Sequence, residues 1–416
     1  MLENPFAVLR RLPRTVRILV WGTLVNKLGS FILPYLTLVL SREFHMTGAQ
    51  AGGLVMAYGL GSLVSIITGG ELTDRLGRRR TLMLSLFGSG VLALAMAQAP
   101  TAHVLIPILL LFGFLADLYR PASSAIIGDQ LPSRERAAGF AALRTAVNLG
   151  FAFGIGAGGF LVDVSWRLLF AADGLTTLLF GVVVLLGIPE TQPPAAIGSS
   201  AAAPQESPWR DRAYLRLLLA SFAFTLVFFS FLTVLPLTMT LSAGYPASTF
   251  GILVAANGLL IAALEMSAVA WLSRYRRLRV AAIGSIVVGI AFGLIGFVMH
   301  WAWFLLMLLL WTVGEIMAIP QQMSFVADWA PPRARGRYLG LYGATWSLGL
   351  MVNPIVMLPL HARLPEPLFW PLLLVLAAPT SLLLLSLDSS ADRPELLRGH
   401  DDHPSPQPLP VVSPDL

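Results

Sequence analysis

Seven ionisable side chains lie inside long apolar stretches of this 416-residue chain: Lys27, Asp117, Arg120, Arg144, Asp173, Glu265 and Glu315. A charge in such a setting is costly unless it is paired, hydrated or used. An acid in an apolar cavity favours its neutral form and can exchange a proton near neutral pH. Glu315 is the first candidate for that chemistry, the other reading being a permanently ionised pair with a basic residue across a cavity. Asp117 and Arg120 are three residues apart, so on a helix they share a face and can pair, either structurally or in a proton-responsive way. Glu265 is a secondary acid and Asp173 a weaker one. Lys27, the only lysine in the chain, and Arg120 could hold an anionic group or neutralise Asp117. Asp129, Asp163 and Asp328 fall near the ends of apolar runs, where capping or hydration explains them.

Other chemistries find no support. There is no cysteine, which removes disulfides, thiolate metal sites and thiol nucleophiles. No nucleophile–base or metal constellation falls within the apolar runs, so an enzyme is not expected. Gly154–Gly159 formally spells a dinucleotide fingerprint, but it lies inside an apolar stretch with no strand before it. No phosphate-binding GxxxxGK[ST] loop occurs, and no cofactor is expected. The two tail histidines read as solvated. The aromatic residues Trp21, Tyr58, Tyr119, Trp311, Tyr342 and Trp346 could wall a cavity for apolar ligands, although each singly reads as packing or an interfacial anchor.

The elements that must position these residues are membrane helices. Apolar residues make up 56% of the chain and charged residues 12%, and mean hydropathy is +0.75. The runs are continuous, as in 280–298 and 368–387, unlike the alternating segments of a transmembrane barrel. Twelve spans are predicted, at 16–40, 48–70, 81–98, 103–128, 137–162, 167–188, 214–241, 247–272, 280–299, 301–327, 335–359 and 367–387. The first is too long for a secretory signal. Of the 28 Lys and Arg residues, 22 fall on one side of these spans and three on the other, which places both termini in the cytoplasm. A basic net charge of +6 therefore reflects topology and not nucleic-acid binding. Residues 1–15 form a cytoplasmic N-terminus, 16–188 an N-terminal six-helix half, 189–213 a cytoplasmic linker, 214–387 a second six-helix half, and 388–416 a disordered cytoplasmic tail.

A repeat supports the two halves independently. At an offset of 199 residues, Gly52, Leu54, Val55, Ala57, Gly59 and Leu60 match Gly251, Leu253, Val254, Ala256, Gly258 and Leu259. The same offset pairs Arg75, Arg78 and Arg80 with Arg274, Arg277 and Arg279, and Pro121 and Asp129 with Pro320 and Asp328. Duplicated halves are the build expected for alternating access about a midplane site.

The segment Gly70-Glu71-Leu72-Thr73-Asp74-Arg75-Leu76-Gly77-Arg78-Arg79-Arg80, between the second and third spans, resembles the signature loop of the major facilitator superfamily. Gly150, Gly154, Gly158 and Gly159 resemble the fifth-helix motif of its drug–proton antiporters, with Ile155 where a proline is expected. Arg144 resembles a recurrent basic position of that helix. Gly314-Glu315-Ile316 with Pro320 is similar to their tenth helix. The resemblance implies an all-α membrane protein of twelve helices in two pseudo-symmetric six-helix halves. It implies proton-coupled efflux of drugs or other small amphipathic solutes from the inner membrane, with the proton gradient as energy source and no nucleotide. Glu315, Asp117, Glu265, Lys27, Arg120 and Arg144 would handle protons and substrate. Gly70, Asp74, Arg75, Gly77, Arg78 and Arg79 would form a cytoplasmic latch, one-sided because Ser273 replaces the acid in the second half. The expected partners are a small-molecule substrate, protons and the bilayer, without nucleic acid, for a monomer. A facilitator of a specific metabolite or anion is the alternative. A receptor or a lipid translocase on the same fold is the alternative of another class.

Overall fold

The computed structural model describes residues 11–190, 208–272, 274–330 and 335–389. Most of the predicted tail and linker lie outside these residues, as does Ser273, while 388 and 389, predicted as tail, end the last helix. Among the described residues twelve helices are long and apolar enough to cross a membrane. They are α1 (Arg14–Arg42), α2 (Gly48–Leu76), α3 (Arg78–Ala97), α4 (Ala102–Gln130), α5 (Ser133–Val164) and α6 (Trp166–Gly187) in the first half. The second half holds α7 (Arg212–Ser242), α8 (Ala247–Leu272), α9 (Arg277–Ile295), α10 (Trp301–Trp329), α11 (Arg335–Arg363) and α12 (Glu366–Ser389). There is no strand among the described residues. The chain is a multi-pass membrane protein. With an even number of spans the first and last described residues lie on one face, here called the terminal face, opposite a distal face.

Three spans predicted as continuous are broken, and proline explains the first two. In α1, helix stops at Leu28 and resumes at Ile32, because Pro34 cannot donate to the carbonyl four residues back. In α4, helix stops at Asp117 and resumes at Tyr119, where the Pro121 ring would meet the Asp117 carbonyl. The seventh span is interrupted twice and ends in a π-helix, Thr238–Ser242.

Burial shows how the halves meet. On the distal side one apolar core runs through both, joining Tyr35, Val55 and Ile155 to Phe228, Phe250 and Trp370. Towards the terminal face it divides. One cluster holds Val16, Leu82 and Ile126 of the first half, and another holds Tyr214, Phe325 and Tyr338 of the second. The main direct seams between halves are α2 with α11 and α5 with α8, with a smaller one between α1 and α7. Along α2, a Cβ added at Gly52 would press on the Pro354 carbonyl, and one at Gly59 would press on Met351. Nearer the terminal face, a Cβ at Gly70, Gly340 or Gly343 would meet nothing within 4 Å. The cleft between the halves is therefore closed distally and open at the terminal face.

Candidate functional site

The break in α1 organises the polar groups of the first half. The Phe31 and Ile32 N–H groups, released at the break, donate to Asp173 of α6 at 3.0 and 3.1 Å. Asp173 is buried and is thereby a cap for the second piece of α1. Just before the break, Asn26 donates to Thr177 at 2.9 Å. Lys27 is half-buried, with Nζ 5.8 Å from the centre of the Tyr119 ring. Its backbone lies against α5, where a Cβ at Gly150 would sit 2.6 Å from the Lys27 Cβ and one at Gly154 2.5 Å from its carbonyl oxygen.

Across from it, α4 presents Asp117, which accepts from the Ser62 hydroxyl and from Arg120 Nε at 3.1 Å. The Arg120 side chain is 70% exposed and Asp117 only 12%. Asp117 is thus matched by Arg120 and not by Lys27. Among the described residues Lys27 has no carboxylate within 4.0 Å.

In the second half Glu315 is half-buried on α10. Asn257 of α8 donates to its Oε2 at 3.2 Å and to Thr312 at 2.9 Å. No basic group among the described residues lies within 4.0 Å of Glu315, so the ionised pair that the sequence admitted does not form. Of the predicted aromatic wall, Trp311 is buried against Phe231 and Phe292 as core. Trp346 packs on Phe224, Phe228 and Phe229. Tyr58 packs on Phe112, and Trp21 lies exposed.

Helices α5 and α8 carry polar contacts from one half to the other. Arg144 Nη2 donates to Glu265 Oε1 at 2.5 Å, with side chains 52% and 17% exposed. Two predicted site residues from different halves are therefore one ion pair. The fifth-helix glycines serve close packing on two sides. Gly150, Gly154 and Gly158 face α1, whereas a Cβ at Gly159 would lie 2.7 Å from Ser248 Cα of α8. At the distal end of this seam the Asp163 carboxylate accepts from the Ala247 and Ser248 N–H groups, both at 3.0 Å. A helix end of one half is capped by the other half. The sequence places Asp163 near a cap but cannot say whose.

The predicted latch is mostly helix. Gly70, Asp74 and Arg75 lie on the last turns of α2, and Arg78 and Arg79 on the first turn of α3. One residue, Gly77, makes the whole turn at φ +97°, a conformation open to glycine. Buried Arg78 bonds Asp74 at 3.0 Å and Asp129 at 2.9 Å. Asp129 is thus an ion-pair partner where capping or hydration was expected. Glu190, after α6, accepts from the Arg79 and Arg80 N–H groups at 3.0 and 3.2 Å. Arg75 pairs with Glu71 at 2.5 Å. The second half repeats the plan at the 199-residue offset: Arg277 bonds Asp328. At the end of α12, Asp388 bonds Arg276 and Arg279 at 3.0 and 2.7 Å. Sequence reading overlooked Glu190, Ser62 and Asn257. The fixed offset signalled the Asp129 and Asp328 pairs, but nothing local marks Ser62 or Asn257.

The family model described as Major Facilitator Superfamily matches residues 19–354, with a second match over 217–407. The chain is similar to a Na(+), Li(+), K(+)/H(+) antiporter of Planococcus maritimus, 25% identical over 360 residues, or 78% of this chain and 84% of that one. It is similar to the quinolone resistance protein NorA of Staphylococcus aureus, 29% identical over 157 residues, or 37% of this chain and 40% of that one. A crystal structure of a POT family transporter in complex with 5-aminolevulinic acid shares the fold at a TM-score of 0.77 and 15% identity, covering 91% of this chain and 98% of that one. Twelve spans, two halves closing on one cleft, and a family match across most of the length make this non-enzymatic transporter a member of the major facilitator superfamily.

Proposed function

We propose that the protein is a proton-coupled antiporter that exports small amphipathic solutes, with Glu315 as the coupling carboxylate. The observation that carries this reading is the environment of the acid: Glu315 has a hydrogen-bond donor and no cation, whereas Asp117 and Glu265 each have an arginine and Asp173 is held by two backbone N–H groups as a cap. An unpaired carboxyl in a low-dielectric cleft takes up and releases a proton with little other rearrangement. The same carboxylate can accept a cationic substrate once the proton leaves. The antiporter and drug-resistance names of its relatives support the reading. The charge bias of the sequence makes the terminal face cytoplasmic. The cleft then opens inward, where a solute for export would enter.

Uptake of a fluorescent cationic dye into inverted vesicles under an imposed proton gradient tests this. Wild type should accumulate dye and Glu315→Gln should not. A wild type that moves no dye, or a variant that couples normally, overturns the proposal.

Lys27 favours a second reading, because a cation beside the cleft without a carboxylate partner suits a substrate that carries an anionic group. Gradient-dependent movement of an amphipathic carboxylate, lost in Lys27→Gln, would select it.

A further inference from the structure

We propose that the groove between α1 and α6 is a binding site for an anionic phospholipid. The groove encloses about 540 Å³ and is apolar along its length, with Arg14 and Arg17 at its terminal-face mouth. Its floor is the contact of Gly22 with the Phe180 ring, where an added Cβ would collide with the ring. The helices touch there and leave the groove walls, Trp21 and Val25 on one side and Leu179 and Val183 on the other, exposed.

Its position excludes the transport cleft. Arg14, Trp21 and Val25 stand at i, i+7 and i+11 and form one stripe of α1. At 100° per residue, Lys27 lies roughly 120–160° round the helix from that stripe. The groove thus faces lipid.

Charge and length select the occupant. Arg14 and Arg17 are exposed and have no acidic partner within 4.0 Å among the described residues. The nearest acid beyond the end of α6, Glu190, is engaged by the start of α3. From Arg14 to Val25 the helix rises about 16 Å, close to one leaflet of a hydrocarbon core about 30 Å thick. A ligand with an anionic head at the interface and an apolar tail one leaflet deep meets both requirements. Basic residues beside a groove between membrane helices are a general means of holding acidic headgroups. Assignment to the inner leaflet rests on the charge-bias orientation; the site itself does not.

Native mass spectrometry of the purified full chain, titrated with phosphatidylglycerol or phosphatidylcholine, tests the proposal. Wild type should retain phosphatidylglycerol in preference. The double variant Arg14→Gln with Arg17→Gln should bind it on the order of twentyfold more weakly. Val183→Trp, which fills the groove and leaves both arginines, should also lose it. Equal retention of the two lipids by wild type overturns the proposal, as does unchanged phosphatidylglycerol binding in either folded variant.

Discussion

At Glu315 the carboxylate meets Asn257 and no cation, so its charge is free to change during transport. Glu315→Gln keeps the shape and the hydrogen-bonding capacity but cannot change charge. In the proposed cycle the variant should bind the cationic dye more weakly, and without the pH dependence that wild type shows. Tryptophan-quenching titrations at several pH values check this, and a pH dependence equal to that of wild type counts against Glu315. Arg144→Gln should act differently. It leaves Glu265 without its partner at the inter-half seam, so wild-type levels of dye binding should be kept while transport falls about tenfold or more. An uncompensated charge of this kind costs on the order of 3 kcal/mol where it is well buried and less at the partly exposed Glu265. The acids at 117, 265 and 315 were all legible in the sequence as intramembrane charges. Which of them is paired was not, because Arg144 and Glu265 are 121 residues apart and only packing of α5 on α8 joins them.

The helices are legible in the sequence, and their irregularities are not. The breaks at Gly29–Phe31 and Leu118 follow from Pro34 and Pro121, so the chemical cause is local. The compensation is remote, since the N–H groups freed in α1 find Asp173 on α6. Asp163 shows the same split between local cause and remote partner. Its two bonds to the start of α8 close the distal seam in this state, and any opening of that seam must break them. Asp163→Ala should remove the cap at a cost of about 1 kcal/mol and shift the population towards the distal-open state. Spin-label distances between the distal ends of α5 and α8 read that shift. A distribution identical to wild type would show that the cap does not hold the seam. Gly159→Leu should have the same direction and a larger size, because the added side chain has no room against Ser248.

Over the whole molecule, the two halves share one distal core and pack as separate clusters at the terminal face. Each half is braced at its own terminal face, by Arg78 with Asp129 and by Arg277 with Asp328. The Arg78 brace is the more buried, with a side chain 8% exposed against 22% for Arg277. Arg78→Ala should therefore lower the melting temperature more than Arg277→Ala, by the loss of charge-assisted bonds worth about 2 kcal/mol each. Thermal unfolding in detergent measures the difference, and equal effects would contradict the burial argument. Cysteines placed at Gly70 and Gly340 should not cross-link in the open-cleft state, and should do so when the halves close at the terminal face.

The sequence alone determined the class of the protein, the number of its spans, its duplication and the sidedness of its charge. Each of these follows from a cost paid locally: apolar length against the bilayer, arginine against translocation, and a repeat carried in the chain itself. Only the tertiary structure decided that Glu315 stands without a cation, that Asp163 caps the other half, and that the cleft is open at one face. Those outcomes depend on which helix face meets which neighbour. That choice is made by glycines, prolines and ion partners more than a hundred residues away, beyond the reach of any local pattern.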